Sequence, residues 1–209
     1  MAKSLVILGL LLAAVAVQTV LASDPDLTTD FNVTNPTVAN FTSTILRNRQ
    51  QLGQGMARPT PVAIAALSSG LGLMPVLFEF GPMSQIDPHT HPRGTEVFFV
   101  LSGEVDVGFV DTANNLFEIT VQAGDIFVFP KGLLHWQRNN GQGTASGYSV
   151  LSSENPGTLM VVEALFTGGH KGLPDIVLAT AFGFNHANNK QIDSIKQTVA
   201  TRNNVTLTW

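Results

Sequence analysis

The chain has 209 residues, of which 44% are apolar and 12% are charged, and it contains no cysteine. Eleven basic residues stand against 15 acidic ones, and no cluster of Lys and Arg could neutralise a phosphate backbone. Nucleic-acid binding is therefore excluded as the function. The absence of cysteine excludes disulfide and thiol chemistry, although a chain of this length can form a core without disulfide bonds.

The first 22 residues have the pattern of a secretory signal peptide. Lys3 precedes an apolar run over residues 5–17, and small or apolar residues lead to a cleavage site before Ser23. The alternative is a membrane anchor, but the run is shorter than the ~20 residues that a span needs, and no later segment is long enough. We therefore expect a signal peptide over residues 1–22, no membrane span after its cleavage, and a secreted protein.

Residues 23–60 are predicted to form an extended arm with a short helix at residues 43–52. The first part of this segment is rich in Asp, Thr, Asn and Pro and has no steady periodicity. In a secreted chain, Asn-x-Thr triplets are candidate glycosylation sites. Three are present, at Asn32, Asn40 and Asn204.

Residues 61–172 are predicted to form an all-β barrel or sandwich. Short apolar or alternating runs recur about every ten residues, separated by Gly, Pro, Asn and Asp. They give nine candidate strands at 62–67, 73–80, 96–101, 105–110, 116–121, 125–129, 135–139, 147–151 and 159–165. After Gly172 the apolar spacing becomes helical, which predicts a C-terminal tail over residues 173–209 with helices at 175–182 and 191–201.

The first candidate site is a His-x-His pair followed by a glutamate. His89 and His91 would point to the same face of an extended chain, so their imidazoles can converge on one ion. Glu96 follows after a short turn and would add a carboxylate from the start of the next strand. Two neutral nitrogens and one oxygen suit a divalent transition metal.

A second segment places another histidine beside a turn. Glycines and a proline between residues 124 and 132 frame the turn, and His135 emerges just after it. Three of the five histidines thus lie in two strand-and-turn segments, which strengthens the prediction of metal binding. His170 and His186 lack such neighbours and are interpreted as loop residues.

These two segments resemble the motif boxes of the germins and germin-like proteins of the cupin superfamily. The first fits His-x-His, x4, Glu, x6, Gly, and the second fits Gly, x5, Pro, x, Gly, x2, His, x3, Asn, which ends at Asn139. The slime-mould spherulins are similar relatives. The resemblance implies a cupin jelly-roll β-barrel, a homo-oligomer of hexamer type and a cell-wall or apoplast location. It also implies one manganese ion bound by His89, His91, Glu96 and His135.

The chain departs from the germin pattern at three points. Asn32 stands where typical germins have the first cysteine of an N-terminal pair, so the arm must be held by packing or by a neighbouring subunit. The interval between Gly81 and His89 is longer than the family pattern. Ile86 stands where oxalate-oxidising germins commonly have asparagine, and an apolar side chain cannot orient a dicarboxylate by hydrogen bonding.

Several functions are compatible with such a metal site. Superoxide dismutation makes the fewest demands on the site, because it needs only an open metal position and a suitable reduction potential. It is the leading hypothesis, and H2O2 is one of its products. The alternative is a non-enzymatic extracellular role in metal binding, storage or the cell wall. Oxalate oxidase activity is less favoured because of Ile86. Zinc or iron is compatible with the same ligands, and only the resemblance favours manganese.

Overall fold

The computed structural model describes residues 29–67, 70–184 and 190–207, so the predicted signal peptide lies outside the described residues. Within them, two five-stranded antiparallel sheets have the strand orders β1-β2-β9-β4-β7 and β10-β3-β8-β5-β6. This architecture confirms the predicted all-β jelly-roll fold. The strands are β1 (Ala57–Pro61), β2 (Met74–Phe80), β3 (Ser84–Thr90), β4 (Glu96–Ser102), β5 (Glu104–Val110), β6 (Leu116–Gln122), β7 (Ile126–Phe129), β8 (Leu134–Asn139), β9 (Ala145–Leu151) and β10 (Leu159–Met160).

Apolar side chains on the facing sides of the two sheets form the core of the barrel. Phe80, Phe98 and Phe129 are at most 1% exposed. The ring of Phe98 lies edge-on to that of Phe78, with their centroids 5.7 Å apart. Gly147 on β9 permits this packing, because a Cβ atom there would lie 2.1 Å from the Phe98 ring.

The predicted strand at residues 62–67 is wrong. The strand lies just before it, at β1, and residues 65–67 form a turn. Val62 and Ala66 still bury their side chains, so the apolar run reflects burial without strand pairing. Pro59 and Pro61 are tolerated in β1 because it is an edge strand with only β2 beside it.

The predicted strand at residues 159–165 is wrong beyond its first two residues. β10 ends at Met160, and the chain continues as helix α1 (Val161–Phe166). A short apolar run fits a buried helix as well as a strand, so periodicity alone could not separate the two.

Strand β3 is missing from the sequence prediction because its residues, Ser-Gln-Ile-Asp-Pro-His-Thr, show no apolar alternation. It nevertheless lies between β10 and β8. Its pairing with β8 runs from Ser84 opposite Asn139 to His89 opposite His135, with a register shift between Ile86 and His89. A polar strand thus places two of the predicted ligands opposite each other.

The helical tail continues with α2 (Asp175–Phe182) and α3 (Lys190–Arg202), which confirms the helices predicted at 175–182 and 191–201. Within the tail, Lys196 is 5% exposed and its Nζ lies 2.6 Å from Asp175 Oδ1. Helices α1, α2 and α3 share a second core, made of Phe166, Leu178, Ala179, Ile192 and Val199.

Among the described residues, no helix is both long and apolar enough to cross a membrane.

The predicted helix at residues 43–52 is wrong. The structure has two short 3-10 turns in this region, Val38–Phe41 and Ile45–Asn48. At Arg49 the backbone becomes extended, and its guanidinium donates a hydrogen bond of 2.8 Å to the Ser146 hydroxyl on β9. Tertiary contacts with the barrel therefore end the helical conformation early.

The end of the arm is fastened to β2 without a disulfide. The buried carboxylate of Glu79 accepts hydrogen bonds from the main-chain N–H of Gln50 and from the Arg58 guanidinium. Just after β2, the backbone of Gly81 touches the arm, since a Cβ atom on Gly81 would lie 1.8 Å from the Gly53 carbonyl oxygen. Packing within the chain thus supplies part of the attachment between arm and barrel that a disulfide bond would otherwise provide.

The contact between Gly81 and the arm makes a testable prediction. Gly81→Ala should push the arm away from β2 and lower the free energy of unfolding by about 1–3 kcal/mol, the usual range for an overpacked site. Gly143→Ala is the matched control, because a Cβ atom there meets nothing within 4 Å. Urea unfolding of both variants checks this, and equal stabilities would contradict the assigned contact.

Candidate metal centre

The four side chains implied as ligands lie together inside the barrel. One nitrogen or oxygen atom from each lies within 4.8 Å of those from the others, and all four side chains are buried. They come from β3, the turn after it, the start of β4 and the start of β8. The group is His89, His91, Glu96 and His135.

Strand pairing explains why these residues meet. His89 and His135 are cross-strand partners, and their ring centroids are 4.2 Å apart. His91 lies one residue beyond the end of β3, with its ring centroid 5.0 Å from that of His89. Glu96 begins β4 and pairs with Phe129 of β7, whose ring stacks on the His135 imidazole at 4.6 Å.

A main-chain carbonyl orients each of the three imidazoles. The Nδ1 atoms lie 2.8 Å from the carbonyl oxygen for His89, 2.6 Å for His91 and 2.8 Å for His135. A carbonyl can only accept, so in the neutral ring Nδ1 carries the proton and Nε2 keeps its lone pair. The carbonyls belong to Asp87, Gly157 and Leu133, respectively.

The Glu96 carboxylate is fully buried and its two oxygens have different surroundings. Oε1 accepts a hydrogen bond from the Ser149 hydroxyl at 2.6 Å and one from the Gln137 amide at 3.2 Å. Oε2 faces His91 Nε2 at 3.2 Å and His135 Nε2 at 3.5 Å. One oxygen is thus bound to neutral donors while the other faces the histidines.

The environment holds His89 neutral and Glu96 ionised in the metal-free protein. Burial, followed by the neighbouring His135, lowers the pKa of His89 from 6.5 to about 4. Burial on its own would raise the pKa of Glu96, but contact with His135, His91 and Ser149 lowers it from 4.5 to about 2. Both groups are therefore in their metal-binding protonation states at neutral pH.

His91 behaves differently from His89. Burial lowers the pKa of His91, but its contacts with Glu96 and with the Gly157 carbonyl outweigh burial and raise the pKa above 6.5. Below this raised pKa, a protonated His91 balances the buried Glu96 charge in the metal-free state. This proton must leave before His91 can bind a metal through Nε2.

The donor set fits a divalent transition metal. Glu96 Oε2 and His135 Nε2 are buried and have no hydrogen bond of acceptable geometry in the structure. Buried polar atoms without a partner are costly, and a cation bound between them would satisfy both. Three imidazole nitrogens and one carboxylate oxygen suit manganese, iron or zinc, and the donors alone do not distinguish these metals.

A cavity of about 650 Å³ reaches the group from one side of the barrel. Its outer end carries Asp87, Glu163 and Arg202, whose side chains are more exposed than those of the histidines. Arg202 Nη2 lies 2.7 Å from Asp87 Oδ2 and 3.3 Å from Glu163 Oε1. The inner wall is mainly apolar and includes Met74, Val76, Phe78, Ile86, Leu151 and Met160.

Sequence reasoning missed the part of the cavity that the tail supplies. Glu163 and Arg202 lie far along the chain from the histidine motifs, and no local pattern marks them as neighbours of the site. Of the other two histidines, His170 lies outside the group. His170 ends a 3-10 turn at Gly168–His170 in the tail, and His186 is outside the described residues.

Two antiparallel sheets around a buried group of three histidines and a glutamate define this chain as a metal-binding β-barrel protein. The family model described as Cupin matches residues 44–190. The chain is 45% identical over 124 residues to germin-like protein subfamily 2 member 2 of Arabidopsis thaliana, a match that covers 59% of this chain and 55% of that protein. It therefore spans little more than half the length of this relative.

Two further comparisons cover more of the molecule. Germin-like protein subfamily 2 member 1 of Arabidopsis thaliana is 44% identical over 154 residues, which cover 68% of this chain and 70% of that protein. The solved structure of an oxalate oxidase in complex with the substrate analogue glycolate matches with a TM-score of 0.73 at 26% identity, over 86% of this chain and 99% of that one. The chain belongs to the cupin family, among the germin-like proteins.

Removing one ligand should empty the centre. His89→Ala and His135→Ala should each lower the metal content at least about tenfold and lower the melting temperature, because a metal that binds the folded state stabilises it. His170→Asn is a suitable control, since its backbone φ of 64° suits asparagine. Elemental analysis of the purified variants checks this, and an unchanged metal content in His89→Ala would refute the assignment.

Metal binding should compete with the proton on His91. Because the pKa of His91 is raised above 6.5, affinity should fall about tenfold per pH unit below that pKa. Calorimetric titration at pH 6, in buffers of different ionisation enthalpy, should detect about one proton released per metal ion bound. A binding constant independent of pH between 5 and 7 would contradict this assignment.

Proposed function

We propose that the chain is a secreted, manganese-binding germin-like protein with superoxide dismutase activity that produces H2O2. The observation that carries this proposal is a buried group of three histidines and one glutamate beside an accessible cavity. Four protein ligands leave room on an octahedral ion for a small ligand. When bound, manganese would supply the one-electron chemistry that converts two superoxide ions and two protons into O2 and H2O2.

The protein's own residues prepare the site for such chemistry. Glu96 places one negative charge against the ion, and the three carbonyls hold the imidazole rings in fixed orientations. Phe129 covers one face of His135 and separates it from solvent. The apolar part of the cavity wall offers no acid or base, and the carboxylates of Asp87 and Glu163 stand at its outer end, so the protons would come from solvent or from bound water.

The outer end of the cavity favours a small monoanion over a dicarboxylate. Asp87 and Glu163 contribute two negative charges and Arg202 one positive charge, which leaves a net charge of about −1. This charge repels a dianion about twice as strongly as a monoanion at the same distance. At the outer end of the cavity, superoxide is therefore repelled less than oxalate, while the positive charge of a bound ion would attract both anions.

Oxalate oxidase activity is the second candidate because of the likeness to a solved oxalate oxidase. Ile86, which is 8% exposed, lines the cavity together with His89. Its apolar side chain can form no hydrogen bond with a carboxylate, so nothing at this position would orient oxalate. A third candidate is non-enzymatic metal binding or storage, in which the same ligands hold manganese, zinc or iron without turnover.

We also propose that the protein acts in the extracellular space or cell wall as a glycosylated oligomer. Asn32 and Asn204 are exposed, which favours them as glycosylation sites, while Asn40 is half-buried and its Oδ1 accepts a hydrogen bond from the Thr37 amide. An oligomer, a hexamer by family resemblance, is supported by exposed apolar side chains on β6 and α2, namely Leu116, Phe117, Ile119, Ile176, Val177 and Phe182.

The decisive experiment measures metal and activity on one sample. We expect the natively secreted protein to hold about one manganese ion per chain and to dismutate superoxide, and we expect His89→Ala to lose both. Oxalate oxidase activity is assayed on the same material. Turnover of oxalate would overturn the preference stated here, and a filled site with neither activity would favour the storage role.

A further inference from the structure

The sheet does not hold the backbone that orients His89. Pairing of β3 with β8 skips from Ile86 to His89, so Asp87 and Pro88 have no partner on that side. On the other side, β10 pairs only with His89 and Thr90. Yet the Asp87 carbonyl oxygen, 2.8 Å from His89 Nδ1, fixes the orientation of this ligand.

The side chain of Asp87 is anchored instead. Arg202 Nη2 lies 2.7 Å from Asp87 Oδ2, and the Gln85 amide donates a hydrogen bond to Asp87 Oδ1. Gln85 belongs to the same strand and moves with it. Arg202 is the last residue of α3, so its ion pair ties the bulged part of β3 to the helical tail, in addition to the packing of α1 against β3.

The tail holds Arg202 in place in turn. Glu163 Oε1 on α1 lies 3.3 Å from Arg202 Nη2, and it accepts a hydrogen bond of 3.0 Å from Asn203 Nδ2. Helix α1 packs against both α3 and β3. The guanidinium therefore connects two helices of the tail to the residue that orients a metal ligand.

An arginine also supports the carbonyl that orients His91. The Arg93 side chain donates to the carbonyl and side-chain oxygens of Asn155, at 2.6 and 2.9 Å. It also covers Gly157, where a Cβ atom would lie 2.9 Å from the guanidinium. Arg93 lies in the same turn as His91, the ligand that it supports. Arg202, in contrast, lies far beyond His89 in the sequence.

We propose that Arg202 is a positioning residue of the metal centre. By holding Asp87, it fixes the carbonyl that orients His89, and it couples docking of the C-terminal helices to metal affinity. This inference rests on metal binding by the four ligands and not on the reaction proposed above. A purely structural ion pair would leave the affinity unchanged, and a partly exposed pair contributes little to stability.

The direction of the change in metal affinity distinguishes a positioning role of Arg202 from a simple effect of its charge. Removing a positive charge near a cation site should tighten cation binding by Coulomb's law. If Arg202 positions His89, its removal should instead weaken binding. The predicted change therefore has the opposite sign to the electrostatic one.

The test is Mn2+ titration of Arg202→Met, followed by the electron paramagnetic resonance signal of free Mn2+, well below the melting temperature. We expect affinity to fall about 10–100-fold, the range for residues that orient a metal ligand. Arg202→Lys should recover part of this loss. Arg47→Met is the matched control, because Arg47 lies exposed in a 3-10 turn of the arm and does not line the cavity, and the affinity of this variant should stay within about threefold of wild type.

Two further measurements report on the site and on the coupling. The visible spectrum of bound Co2+ should change in Arg202→Met and not in Arg47→Met, because only the former alters how His89 is held. In wild type, metal should slow amide hydrogen exchange in α3, since coupling between two processes is reciprocal. In Arg202→Met this protection should disappear.

The outcomes separate this inference from the proposed function. If wild type binds neither Mn2+ nor Co2+, the metal centre itself is refuted, and this inference falls with it. If wild type binds metal and Arg202→Met binds it within about twofold as well, the metal centre stands and the role of Arg202 is overturned. An equal loss in Arg47→Met would also overturn it.

Discussion

The buried charge of Glu96 is the constraint around which the barrel is organised. A carboxylate that is 0% exposed needs hydrogen bonds and a positive partner, or it would be protonated. Ser149 and Gln137 satisfy one oxygen, and the imidazoles face the other. In the metal-free protein below the raised pKa of His91, the partner is the proton on His91. On loading, the partner is the metal, so binding exchanges a proton for a metal cation.

This exchange sets how pH acts on each form. The raised pKa of His91 stabilises the metal-free fold below 6.5, and that contribution is lost as pH rises through the folded pKa. The lowered pKa of Glu96 stabilises the fold above 4.5, and that contribution is lost as pH falls through about 2. The lowered pKa of His89 acts against the metal-free fold, because stability falls as pH drops from 6.5 to about 4. The proton on His91 thus opposes metal loading, and its stabilising contribution at acidic pH is countered by the neutral state imposed on His89.

The sequence predicted the parts of the fold whose residues carry a local signal. Seven strands with apolar alternation, two helices of the tail and the ligand motif follow from spacing, because each is set by residues a few positions apart. Strand β3 escaped prediction because it is polar and exists through its pairing with β8. The apolar run at 159–165 was predicted as a strand, but a helix buries such a run equally well. Contacts with β3 determine that most of the run is helical.

The site shows the same division between local and distant determinants. The two motif boxes supply the four ligand atoms, but two of the three carbonyls that orient the imidazoles are supported by arginine side chains, Arg93 in the same turn as His91 and Arg202 at the end of α3. Arg202, the last residue of α3, contacts Asp87 in the bulged part of β3. No motif near Arg202 in the sequence indicates a metal site. Relatives that share the ligand boxes can therefore differ in affinity and selectivity, because the geometry of the centre also depends on how the helical tail docks on the barrel.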